Sequence, residues 1–168
     1  NNRYISYDDQ IVLEKSNPDK ENYDILSFSV HNLTSVKIPN FVEIIGPKAF
    51  ENCENLSKIE IPDDSKLRTI EKSAFAYTSI ESLTIPSSCV ELKEGWCNGT
   101  NKLKEIKIST NNPKYICYNN EMILSKSQQE KNNYDTIVFC NRNISKIIIP
   151  NFIEIIDSYA FYGCEELT

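Results

Sequence analysis

Histidine is nearly missing from these 168 residues: His31 stands alone. Imidazole-centred triads and proton relays therefore have almost no material. Glycine is scarce too, at four, and no Gly-rich phosphate loop is present. The six cysteines include no Cys-x-x-Cys pair, so with one histidine no zinc spacing arises. The reading is of no metal, no cofactor and no enzyme. Alanine, the best helix former, numbers four against 23 isoleucines, which favours β structure. No apolar run approaches the roughly 20 residues of a membrane-spanning helix, so no membrane insertion is read in this stretch. A net charge of −6 and a pI near 4.9 lack the basic face of a nucleic-acid binder.

Also missing is an initiator methionine: the chain opens Asn1-Asn2-Arg3, with no signal-peptide pattern behind it. At the other end Leu167-Thr168 starts a repeat that is not completed. The whole reads as one solenoid, a fragment of a longer array. What is present suffices for a core, with 40% hydrophobic and 25% charged residues. Asn is counted 19 times, and Lys outnumbers Arg 15 to 3. That bias reflects an AT-rich genome more than a function.

The chain repeats. Ile-Pro recurs at Ile38-Pro39, Ile61-Pro62, Ile85-Pro86 and Ile149-Pro150, with Ile108-Ser109 filling the gap. Six residues before each Pro or Ser109 stand Leu33, Leu56, Ile80, Leu103 and Ile144; three before stand Val36, Ile59, Leu83, Ile106 and Ile147. Downstream come Ile45-x-x-x-Ala49-Phe50-x-x-Cys53, then Ile70, Ala74-Phe75 and Thr78, then Ile156, Ala160-Phe161 and Cys164. A larger period encloses the small one: residues 4–57 align without gaps on 115–168, an offset of 111, with 24 of 54 pairs identical. One super-unit is thus an island followed by three short repeats.

In each unit Leu56-x-x-Ile59-x-Ile61-Pro62 and its equivalents point alternate aliphatics one way, as a strand does, and Pro ends the ladder. One such strand cannot hide its apolar side, so units must stack. The Ala-Phe pair suits a tight helical turn. The expected fold is an α/β solenoid, with short parallel strands on one face and short helical turns and irregular segments opposite. Islands at 1–31 and 112–143 are inserted. In the second island, 121–125 and 135–139 read as a β-hairpin leaving the solenoid, its polar tip at 127–133. Residues 10–13 and 24–28 form the first copy. Phe50, Phe75 and Phe161 should stack along the interior.

These residues resemble the BspA-like class of leucine-rich repeats. The units that carry the likeness are Cys53-x-x-Leu56-x-x-Ile59-x-Ile61-Pro62 and Ile156-x-x-x-Ala160-Phe161-x-x-Cys164. The third unit departs, with Trp96-Cys97 in place of Ala-Phe, and the second has two extra residues before Ile70. The resemblance implies a horseshoe-like, right-handed leucine-rich repeat solenoid. It also implies an adhesin-like module on the cell surface or secreted, binding host, matrix or cell-surface proteins. The rival reading is an intracellular, cytoplasmic scaffold on the same solenoid.

Candidate sites follow from the repeat. The outward strand positions give two ligand-binding columns: Lys37, Glu60, Thr84, Lys107 and Ile148, and Ser35, Lys58, Ser82, Glu105 and Lys146. Lys37 and Glu60 should be cross-strand neighbours. A merely solvated face explains any single one of them as well. Cys117 and Cys140 are both Ser in the first copy, as Ser6 and Ser29, and a hairpin could bring them face to face as a disulfide. Cys53, Cys89, Cys97 and Cys164 fall at core positions of the repeat. Glycosylation sequons start at Asn32, Asn55, Asn98 and Asn143, hardly more than chance supplies from so much Asn, Ser and Thr. Six of nine tyrosines lie in the islands. Uncapped ends offer apolar faces, so self-association through them is a further expectation.

Overall fold

The computed structural model describes residues 3–128 and 130–168; Asn1 and Asn2, in the first island, and Gln129, in the second island's tip, lie outside the described residues. Among the described residues fourteen short strands run in chain order. The first island gives β1 (Tyr4–Tyr7), β2 (Ile11–Glu14) and β3 (Ile25–Ser29). The coils give β4 (Ser35–Lys37), β5 (Ile44–Ile45), β6 (Lys58–Glu60), β7 (Thr69–Ile70), β8 (Ser82–Ile85), β9 (Glu91–Leu92) and β10 (Glu105–Ile108). The second island gives β11 (Tyr115–Tyr118), β12 (Met122–Ser125) and β13 (Thr136–Cys140), and the last coil β14 (Ile155–Ile156).

Each coil contributes to two walls. The Ile-Pro strands form one, with β4 parallel to β6 and β8 parallel to β10. Inward Val36, Ile59, Leu83 and Ile106 are buried, and the residues either side of each are exposed. The two-residue strands β5, β7 and β9 form the parallel second wall.

The islands do not leave the solenoid. Each is a three-stranded antiparallel meander whose last strand joins the second wall, pairing Ile25 with Ile44 and Thr136 with Ile155. The reason is a first strand closed by a tight turn. Asp8-Asp9 and Asn119-Asn120 all hold left-handed backbone, the primed-turn geometry that matches strand twist. In the second island β12 and β13 are buried on both faces. Ile123 and Phe139 pack into the core of the first coils, while Met122, Leu124, Ile137 and Cys140 face a second core with Ala160.

No helix occurs among the described residues, so the solenoid is β throughout and the expected helical turns are absent. Lys48 and Asn52 bracket Ala49-Phe50 with positive φ, as Ser73 and Tyr77 bracket Ala74-Phe75. Left-handed residues four apart break any right-handed helix. The segments are chained turns instead, and they bond sideways: Phe50 N–H donates to Ala74 O at 2.8 Å and Asn52 N–H to Ala76 O at 3.0 Å. Gly99 takes the same conformation, and the Tyr77 ring lies where its Cβ would be.

The aromatic interior differs from expectation in one member. Phe50 and Phe75 are fully buried and stacked at 5.5 Å, but the column continues through Trp96 to Phe139. Phe161 is only half-buried and packs on the second core. Beyond it the last coil is open: Ile148, Ile149, Ile155 and Ile156 are exposed.

Candidate functional site

The outward columns assemble as the register requires. Lys37 pairs with Glu60 and Ser35 with Lys58 across β4 and β6; Glu105 pairs with Ser82 and Lys107 with Thr84 across β8 and β10. All eight side chains are exposed. Lys37 Nζ lies 2.9 Å from a Glu60 carboxylate oxygen, which raises the lysine's pKa and lowers the glutamate's, chiefly through the hydrogen bond. Lys107 meets Glu105 on its own strand at 3.5 Å. Lys146 and Ile148 are exposed but lie in no strand.

Grooves flank this face at both ends, each walled by an island turn. Near β4, Tyr7 and Asp8 face Lys37, Pro39, Phe41 and Asp64 around about 340 Å³. Near β10, Cys117, Asn120 and Asn141 face Glu105 and Lys107 around about 470 Å³. The face is a charged strip between two open grooves. No helix of the described residues is long and apolar enough to cross a membrane, and no group of three or more metal-ligating side chains gathers there.

Cys117 and Cys140 do not meet. β12 lies between β11 and β13, so the two are separated by a whole strand, about 9 to 10 Å at ordinary strand spacing. The expectation failed because it counted two strands where the island has three. Cys117 is exposed and Cys140 buried, and all six cysteines are unpaired. Burial pushes the Cys89 thiol up to about 12 and Cys97 to about 11.

Asn32, Asn55 and Asn143 are exposed at equivalent positions of three coils. Asn98 is not an acceptor of the same kind. Its Oδ1 is sealed without a hydrogen-bond partner, its amide packs where a Gly95 Cβ would sit, and the buried Thr100 hydroxyl donates to Cys97 O at 2.6 Å.

A duplicated clip went unread in the sequence. Asp24 accepts the Ser16 N–H at 2.8 Å, the Ser16 hydroxyl at 2.6 Å and the Lys20 ammonium at 2.6 Å. Asp135 repeats it with Ser127 N–H at 2.7 Å, Ser127 hydroxyl at 2.6 Å and Lys131, which also reaches Glu154 at 2.7 Å. Lys15 lies over Tyr23, and Lys126 over Tyr134, at 5.1 and 5.2 Å. Burial raises the Asp24 pKa, but Lys20 and Ser16 outweigh it and the net shift is downward. Lys131, then Ser127, hold Asp135 well below the usual range. The signal was available: Lys15, Ser16, Lys20, Tyr23 and Asp24 are all identical in the second copy.

Two walls of short parallel strands with polar outward columns, built from repeats that stack, define a leucine-rich-repeat solenoid. The chain belongs to the BspA-type leucine-rich repeat family, whose model matches six copies over residues 25–134 and 132–168. It is similar to the crystal structure of the pneumococcal vaccine antigen PcpA, at 26% identity and a TM-score of 0.69 over 77% of this chain and 31% of that one. A leucine-rich cell surface protein from Faecalibacterium prausnitzii matches at 24% identity and a TM-score of 0.69, over 81% of this chain and 34% of that one. A leucine-rich repeat protein from Eubacterium ventriosum matches at 21% and 0.62, over 79% and 40%. The chain thus spans about a third of the length of the first two structures. None of the curated proteins matches it.

Proposed function

We propose that this chain is a non-enzymatic protein-interaction module of an adhesin-like surface protein. Its ligand is a protein of a host cell, matrix or neighbouring cell, bound along the outward strand columns. One observation carries the reading: eight polar side chains, from Ser35 to Lys107, stand exposed and in register on β4, β6, β8 and β10, between two grooves. Likeness to a vaccine antigen and to a cell surface protein supports the outside location. Repeat surfaces of this kind bind through area and complementary charge rather than through a reactive centre.

The test is capture of the chain by immobilised matrix proteins and by intact epithelial cells. Alanine at Lys58, Glu60, Glu105 and Lys107 together should reduce capture at least tenfold without changing the melting temperature. Undiminished capture would move the ligand to another face. The second reading, an intracellular scaffold, is favoured by the six unpaired cysteines.

A further inference from the structure

At the joint between the second island and the last coil, two thiols flank one buried cation. Arg142 is 6% exposed and lies over the Phe139 ring at 4.3 Å. Its Nη1 donates to Ala160 O at 3.2 Å and to Cys164 Sγ at 3.8 Å; Nη2 points to Cys97 Sγ at 3.9 Å. Among the described residues no carboxylate is hydrogen-bonded to it. Burial raises the Cys97 and Cys140 thiols, and the nearby guanidinium offsets only part of that rise.

The first copy shows how close the second pair of positions lies. Ser29 and Cys53, the counterparts of Cys140 and Cys164, touch at 3.3 Å from Oγ to Sγ. The Ser29 hydroxyl donates to Ala49 O at 2.8 Å. In the second copy both positions are cysteine, at the same places in the fold. Cys164 Sγ also contacts Cys140 O at 3.9 Å and Asn141 O at 3.6 Å. We propose that Cys140 and Cys164 are a redox pair, interchanging between two thiols and one disulfide that stitches the second island to the last coil.

The chemistry balances with a low-molecular-weight disulfide as oxidant. Cys164, the half-buried member, loses its proton and attacks one sulfur of the oxidant. The oxidant's S–S bond breaks, and one small thiol leaves with that proton. Cys140 then gives up its proton and attacks the Cys164 sulfur of the mixed disulfide, displacing the second small thiol. Two protein thiols are oxidised, and one small disulfide is reduced to two thiols. Cys97 is the wrong partner, because it lies against the other nitrogen of the guanidinium. Burial, which pushes the Cys140 thiol up to about 12, makes its attack the slow step, so the exchange should accelerate with rising pH.

The experiment equilibrates the whole chain with oxidised glutathione, then alkylates it with a maleimide under denaturing conditions. Intact mass should show two of the six thiols lost, and a peptide map should link the segment holding Cys140 to that holding Cys164. Dithiothreitol should restore all thiols, and the oxidised form should melt several degrees higher. Cys140→Ser copies the arrangement at Ser29, so it should fold and form no link. Six free thiols at equilibrium, a glutathione adduct on Cys164 that never resolves, or a bridge to Cys97 would each overturn the proposal. The wild-type peptide map decides the matter even if the variant fails to fold.

Discussion

Trp96 stands to Phe75 as Ala74 stands to Phe50. Phe75 N–H donates to Trp96 O at 2.8 Å, just as Phe50 N–H donates to Ala74 O. Yet the indole fills the aromatic column, 6.2 Å from Phe75 and 6.1 Å from Phe139, while Cys97 takes the backbone place of the missing Phe. Large and small have exchanged places.

Trp96 should therefore be as important as the phenylalanines. Trp96→Ala and Phe75→Ala should each lower unfolding free energy by about 3–5 kcal/mol, through lost burial and the cavity left behind. Urea denaturation followed by circular dichroism measures it. A loss under about 1 kcal/mol at Trp96 would mean that its ring is not part of the column.

The two aspartate clips make stability depend on acid. Asp24 and Asp135 have lower pKa values folded than unfolded. Their contribution is complete above the ordinary carboxylate range and is lost as pH falls through the folded values. The melting temperature should drop between about pH 4 and pH 2. In a double Asp24→Asn, Asp135→Asn variant the drop should be shallower, starting from a lower plateau at pH 7. Parallel wild-type and variant curves would remove the clips from the account.

The same clip governs protease access. Lys131 is in the polar loop, where cutting is expected before any Ile-Pro strand is cut. Its ammonium is tied to Asp135 and Glu154. Asp135→Asn should release the loop, and trypsin should cut at Lys131 several-fold faster, with Lys58 and Lys107 still resistant. Mass mapping of the first fragments reads the result. First cleavage at Lys58 or Lys107 would contradict the fold's division into loops and strands.

Passage of the chain through a eukaryotic secretory pathway should place glycans only where side chains reach solvent. Occupancy is expected at Asn32, Asn55 and Asn143 and not at Asn98, whose amide and Thr100 are packed. Mass shifts after enzymatic deglycosylation count the sites. A glycan at Asn98 would show that the turn opens.

The Ile-Pro strands were legible because each needs its neighbour to bury one face, and that leaves a periodic mark at Val36, Ile59, Leu83 and Ile106. The outward columns came with them, since register fixes both faces at once. The turns opposite were misread because Ala and Phe favour packing that a helix and a chain of turns can both supply. What decided between them was the left-handed backbone at Lys48, Asn52, Ser73 and Tyr77, of which only Asn52 is a residue type that favours it. The islands' first strands did leave a sign, the paired Asp8-Asp9 and Asn119-Asn120. Missing that strand is also what put Cys117 opposite Cys140.

The second island's β12 and β13, buried on both faces, act as a bulkhead. Ile123 and Phe139 belong to one compartment and Leu124 and Ile137 to the next. In a tether made by repeating this 111-residue period, tension would open one compartment without draining its neighbour. Pulled from its ends, such a tether should give way in separate steps, each releasing roughly 380 Å of extended chain. Such a tether would lose length in instalments and keep the rest of its outward strand columns intact.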